Sequence, residues 1–114
     1  MGYRSDVGIA LSKEAAAILK TKLETAKTDE RYLFDHADRH EIDADNGDEL
    51  WRWNYVKWYD EHPDVSFVTR FLHELEPDKY LFARAGEQFD DIEAKGDYWQ
   101  NAFGLGISTA VVPL

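Results

Sequence analysis

His36 and His40 stand four residues apart with Asp35, Asp38 and Glu41 beside them, the spacing at which two imidazoles on one helix face can share a metal ion. With the nearby carboxylates, such a pair would suit a metal-dependent hydrolase or nuclease. Three features weigh against it: there is no His-Glu-x-x-His pattern, no clear third ligand, and a hairpin arm expected from His40 onward that takes one histidine off the helix. Asp43-Ala44-Asp45-Asn46-Gly47-Asp48 approaches a calcium loop, but its glycine comes one place early and the twelfth position is Asn54, where a Glu is needed. A turn at Asn46-Gly47 explains that glycine better, and no metal is expected.

Other chemistry is thinly represented. The chain has no cysteine, which excludes disulfides, zinc-thiolate sites and cysteine nucleophiles. Ser5, Ser12, Ser66 and Ser108 fall in no Gly-x-Ser-x-Gly elbow. Gly104 and Gly106 form a glycine pair without the third glycine of a dinucleotide loop, so no cofactor is expected. Asp90-Asp91 is a carboxylate pair that only a pocket could turn into acid and base. No catalytic residue is assigned, and the reading favours a protein without enzymatic activity.

What does stand out is acidity. The 114 residues carry 13 Lys and Arg against 23 Asp and Glu, a net charge of −10. That charge disfavours nucleic acid and anionic membranes and favours a basic protein partner, or simple solubility. The imbalance is local. Residues 27–49 carry three basic and nine acidic groups, net −6, and residues 87–114 carry one and five, net −4, while the remainder is neutral. The first block crowds Asp43, Asp45, Asp48 and Glu49 around the Asn46-Gly47 turn, with Trp51 and Trp53 following, and the second gathers Glu87, Asp90, Asp91, Glu93 and Asp97. All of these but Asp97, ten residues, are the candidate partner-binding set. If the two blocks form one continuous face, they could imitate a run of nucleic-acid phosphates; if the exposed aromatics Trp51, Trp53 or Tyr55 self-associate, the chain is an assembly protein and a homo-oligomer.

The elements that would position these groups follow from periodicity. Gly2–Leu11 alternates as a half-buried strand, with Tyr3, Ser5, Val7, Ile9 and Leu11 on one side. Ser12 caps a helix to about Ala26 that buries Ala15, Ile18, Leu19 and Leu23. Thr28 caps a short helix through Tyr32, Leu33 and Phe34. Asn46-Gly47 predicts a two-residue type I′ hairpin that pairs Ile42 with Trp51, His40 with Trp53 and Glu41 with Arg52. Pro63 opens a helix to about Leu75 with Val65, Val68, Leu72 and Leu75 inward, and Phe67 and Phe71 beside them. Lys79–Gly86 is a strand, Phe89–Ala94 a short returning strand, and Ile107–Leu114 a strand or packed arm. The result is one α+β domain over 1–114, with a ferredoxin-like split βαβ (βαββαβ) core over 1–86 and a C-terminal acidic hairpin and strand over 87–114. Trp53-Asn54-Tyr55-Val56-Lys57-Trp58 falls on the third strand, where RNA-binding domains of this order carry stacking aromatics, but the acidic charge rules that reading out.

No apolar run reaches the length of a signal peptide or membrane span, and Asp6 or Val7 occupies the place where a myristoylation signal carries Ser or Thr. The cytoplasm is the expected compartment. Several stretches together resemble small acidic proteins encoded by tailed bacteriophages and prophages: Gly2-Tyr3-Arg4-Ser5-Asp6-Val7, Trp53 through Tyr59, Pro63-Asp64-Val65-Ser66-Phe67, Tyr80 through Glu87 into Asp90-Asp91-Ile92-Glu93, and Leu105-Gly106-Ile107-Ser108. The resemblance implies a phage accessory protein in a bacterial host cytoplasm, and proteins of that kind often inhibit a host factor by docking on it. It brings no site residues with it.

Overall fold

The alternating start of the chain becomes β1, Ser5–Leu11, with Val7, Ile9 and Leu11 buried on one face and Gly8 and Ala10 buried on the other. This is a computed structural model, and it describes residues 3–88, 90–103, 105–107 and 111–113. Ser12 then caps α1, Lys13–Thr25, its Oγ accepting the Ala15 N–H at 3.2 Å and satisfying one of the first-turn donors that a helix leaves open. α1 buries Ala15, Ala16 and Leu19 with Leu23 half-buried, but Ile18 is 44% exposed. At roughly 100° per residue, Ile18 lies on the flank of that stripe and Ala16 nearer its centre, so the expected face is rotated. α2, Tyr32–Asp35, buries Leu33 and Phe34, and its N-cap is Arg31. Thr28 sits a full turn earlier and caps nothing.

β2, Arg39–Ile42, and β3, Glu49–Val56, pair two residues out of the expected register. His40 faces Trp51, Ile42 faces Glu49 and Glu41 faces Leu50. The turn is the reason. A two-residue type I′ turn needs positive φ at both central positions, yet only Gly47 has it here, at +79°. Asp43 instead accepts the Asp45 and Asn46 N–H groups on its carboxylate and the Gly47 N–H on its carbonyl, so the loop spans 44–47 and closes with the Asp43 N–H on the Asp48 carbonyl.

α3, Pro63–His73, starts with proline in its first turn as expected and buries Val65, Val68, Phe71 and Leu72, with Leu75 buried just beyond. A 3₁₀ turn, Pro77–Lys79, leads into β4, Tyr80–Gly86. β5, Ile92–Gly96, begins later than expected; Phe89 lies outside the described residues. β6, Leu105–Ile107, and β7, Val111–Pro113, supply the expected C-terminal strand as a two-stranded sheet, with Gly104, Ser108–Ala110 and Leu114 outside the described residues.

The fold is α+β, with three α-helices and an open antiparallel sheet in the order β2-β3-β1-β4-β5. One face of the sheet packs on the helices through Val7, Ile9, Leu11, Trp51, Trp53 and Phe82. The opposite face, lined by Ala10, Leu50, Leu81, Ala83 and Ala85, receives Leu105, Tyr98 and Phe103, so the β6–β7 segment forms a third layer over β1 and β4. β3 bulges where Ser5 faces Val56 but Val7 faces Trp53, and Tyr55 takes φ +58° there. Asp6 accepts the Tyr55 N–H at 2.8 Å and Arg4 donates to its carbonyl at 3.2 Å, offsetting a backbone strain of about 1–3 kcal/mol.

Gly96 has φ +87°, and a Cβ there would stand 2.2 Å from the Tyr80 carbonyl oxygen. Gly96→Ala is expected to lower the unfolding free energy by about 3 kcal/mol in urea melts, because both the backbone conformation and a rigid carbonyl oppose the added methyl.

Candidate functional site

The fold divides the ten candidate residues into fasteners and free surface. Trp51 and Trp53 are buried, Trp53 donating its Nε1–H to the Leu33 carbonyl at 2.6 Å, and both rings pack on Phe34. Neither presents a surface to a partner or a second copy, because their positions on β3 point at the helices. Asp48, read as part of the acidic surface, is only 2% exposed. Its carboxylate accepts the Tyr98 hydroxyl, which lies 2.6 and 2.8 Å from its two oxygens, and the Ala102 N–H at 3.1 Å. It therefore clasps the C-terminal segment to the hairpin. Glu49 is held 2.9 Å from His40 Nε2, and His40 lies stacked on Trp51. Asp43 caps its own turn, and Asp45 is exposed.

The second block is built around Arg84. Its guanidinium donates to both carboxylate oxygens of Asp91, at 2.9 and 3.2 Å, to Glu93 at 3.0 Å and to Ser5 Oγ at 3.0 Å. The Tyr3 hydroxyl donates to Asp91 at 2.7 Å and accepts the Gln88 N–H at 3.0 Å. Asp91 is consequently held below the usual carboxylate range by its bonds from Arg84 and then Tyr3. The Gln88 N–H pulls the Tyr3 phenol down, but the bond to Asp91, burial and the Asp91 charge together leave it raised. Lys95 adds a 3.4 Å contact to Glu93, leaving Glu87 and Asp90 as the free, exposed acids of this block. Tyr3, Arg84, Asp91, Glu93 and Lys95 line a cleft of about 430 Å³ between β5, α3 and the Trp58–Asp60 loop, where Ser66, Thr69 and Arg70 also open. Its carboxylates near Arg84 are already satisfied by protein donors, which makes them supports of the fold.

The hairpin acids and the acids of residues 87–93 do not meet. Leu11 faces both Glu49 and Tyr80, whereas Ser5 faces Gly86, so the 43–48 turn and the 86–91 turn lie at opposite ends of β1. The strand between them is seven residues, about 20 Å, and the turns also sit on opposite flanks of the sheet. Other acids share the hairpin's end of the sheet. Asp78 precedes β4, Asp97 follows β5 and donates its N–H to the Pro77 carbonyl at 2.7 Å, and both lie at the Leu11 end with Asp43 and Asp45. Glu14 joins them from the first turn of α1. Lys13, whose stem packs over Gly47, and Lys79, paired with Glu14 at 3.3 Å, are the cations beside them. Trp99 is half exposed at this end, its N–H on the Asp97 carbonyl. Asp78 and Trp99 escaped the sequence reading, and Asp97 was grouped with Glu87–Glu93, because strand pairing, not proximity in the chain, sets all three at the hairpin end.

His36 lies at the C-cap of α2, its ring stacked on Tyr32 and its Nδ1 2.9 Å from the Tyr32 carbonyl, while His40 sits on β2. Among the described residues no group of three His, Asp or Glu side chains is arranged to hold a metal ion. No helix among them is long and apolar enough to cross a membrane. The chain matches no family model, no curated protein and no solved structure.

Two predictions follow from the Asp48 clasp. Asp48→Ala leaves the Tyr98 hydroxyl and Ala102 N–H unpaired, and is expected to cost about 2 kcal/mol and to speed amide exchange across residues 98–105. Burial, then the bond to Asp48, pushes the Tyr98 phenol up to about 12 from 10.0. A folded value above the unfolded one makes this stabilisation complete below pH 10 and lost as the pH rises toward 12. Urea midpoints should therefore fall between pH 10 and 12 in the native chain, and fall less steeply in Tyr98→Phe.

Proposed function

We propose that this chain is a non-enzymatic accessory protein that docks on a partner protein through the acidic end of its sheet. The observation that carries the reading is that Asp43, Asp45, Asp78 and Asp97, from three chain segments, share one end of the sheet with a half-exposed Trp99. Carboxylates steer and orient a basic surface, and an exposed tryptophan supplies apolar contact area. Within the α+β class, we read β1 to β4 with α1 and α3 as a ferredoxin-like split βαβ core, since the order β2-β3-β1-β4 is that of this arrangement, with β5 to β7 added. The setting proposed is a phage accessory protein in a bacterial cytoplasm, acting as an inhibitor of a host or phage protein; its support is the resemblance of the quoted stretches alone. Nucleic-acid mimicry is left out of the proposal, because it needs a continuous track of carboxylates and the hairpin and 87–93 blocks lie at opposite ends of β1.

The test is affinity capture from bacterial lysate with three baits: the native chain, a variant with Asp45→Asn, Asp78→Asn and Asp97→Asn, and a control with Glu87→Gln and Asp90→Asn. The expected outcome is a partner retained at low salt, released as salt rises, lost by the first variant and kept by the control. Equal capture by both variants would overturn the assignment to this end of the sheet.

A further inference from the structure

β5 is an outer strand, and its free side has a definite hydrogen-bonding pattern. The Gly86 N–H donates to the Asp91 carbonyl at 2.8 Å, which makes 86 and 91 a hydrogen-bonded pair. Antiparallel alternation then makes Arg84/Glu93 and Phe82/Lys95 the next such pairs and turns the main-chain groups of Ile92, Ala94 and Gly96 away from β4. The Ile92 N–H is taken by the Asp90 carbonyl at 3.1 Å. Among the described residues, this alternation leaves on the open side both groups of Ala94, the Gly96 N–H and the Ile92 carbonyl.

The side chains of this strand are self-complementary. β5 reads Ile92-Glu93-Ala94-Lys95-Gly96, with opposite charges one step to either side of Ala94, and a large apolar residue and no side chain two steps away. We propose that the β5 edge pairs with the β5 edge of a second copy, antiparallel about a two-fold axis at Ala94, so that two five-stranded sheets become one of ten. This rests on β5 alone and is independent of the partner reading at the acidic end.

In that register each Ala94 N–H donates to the Ala94 carbonyl of the second copy, and each Gly96 N–H to the opposite Ile92 carbonyl. Glu93 and Lys95 fall opposite Lys95 and Glu93 of the second copy in the non-hydrogen-bonded positions, where side chains approach most closely. Ile92, exposed in the single chain, lies over the bare backbone of the opposite Gly96. A parallel pairing would set Glu93 against Glu93 and Lys95 against Lys95, so the charges that guard this edge against indiscriminate pairing admit the two-fold register. The other outer strand, β2, also carries opposite charges about a central residue, Arg39 and Glu41 about His40. There a two-fold would press His40 against its own copy, and the strand is only four residues long. Pairing at β5 also completes the cleft beneath α3. Glu93 and Lys95 line it in the single chain, and the second copy adds the same two residues and a second α3 across the axis.

Sedimentation equilibrium of the whole chain, from low micromolar to near-millimolar concentration, tests the proposal. The native protein should move from 13.2 kDa toward twice that mass as concentration rises. Ala94→Pro removes a donor that bonds nothing within the chain, so the fold should hold while the dimer dissociation constant rises roughly tenfold or more. Lys95→Glu sets two acids opposite one another at both charged positions and should abolish the dimer. Mixing Lys95→Glu with Glu93→Lys restores opposite charges across the axis and should return it. Circular dichroism of each variant separates loss of pairing from loss of fold. A native chain that stays at 13.2 kDa throughout, or a dimer that Lys95→Glu leaves unchanged, would overturn the two-fold β5 pairing.

Discussion

β1 is the constraint on which the rest of the molecule depends. It is paired on both sides, to β3 and to β4, and from Val7 to Leu11 it is buried on both faces. Its side chains are therefore sorted by space as well as polarity. Val7, Ile9 and Leu11 fill the layer beneath the helices, while Gly8 and Ala10 keep the other face low enough for the C-terminal segment to pack on it. A one-residue slip would push the branched side chains into the thin layer and empty the thick one. Both cores thus hang on one register, and the antiparallel ladders fix which turns share an end of the sheet.

The chain's acidity is partly internal architecture. Asp48 clasps Tyr98 and Ala102, Asp91 and Glu93 anchor Arg84, Asp43 closes its turn, and Asp6 and Asp38 accept the backbone N–H groups of Tyr55 and Asn54 around the bulge. Asp48, Asp6 and Asp38 tie together segments distant in the chain. Carboxylates suit the task because they accept several bonds at once and form charge-assisted ones. Surface ion pairs such as Arg31–Asp35 and Lys79–Glu14 add little stability, but each leaves one acid fewer without a cation beside it. The acids left free at the Leu11 end are a subset selected by the fold.

Tyr55 and Gly47 show how locally irregular backbone sets larger geometry. The bulge at Tyr55 changes the pairing between β1 and β3, so Val56 and the half-buried Trp58 return to the helix side and pack near Trp53 and Phe82. The longer loop at Gly47 shifts β2 by two residues and sets His40 on Trp51, leaving Ile42 exposed. Each device uses one residue in the left-handed region: at Tyr55 it decides which face the following residues occupy, and at Gly47 which partners β2 meets, since a two-residue shift keeps each side chain on its face.

The sequence by itself determined the α+β class, the order of elements through β4, the Ser12 cap, the Pro63 start of α3 and the buried face of that helix, because each is written in short-range spacing or in one residue's backbone preference. It misplaced the hairpin register and the Thr28 cap, where Asn46-Gly47 and a lone threonine each fit more than one local geometry. The candidate site was less legible. Contiguous acids looked like surface, yet whether Asp48 faces solvent or Tyr98, and whether Asp91 is free or bound by Arg84, depends on residues 50 and 7 positions away in the chain. Only the tertiary structure decided that the hairpin acids and the 87–93 acids stand at opposite ends, and that Asp78 and Asp97 share the hairpin's end of the sheet. Strand pairing sets those neighbours, and it is a property of the whole sheet that no window of sequence contains.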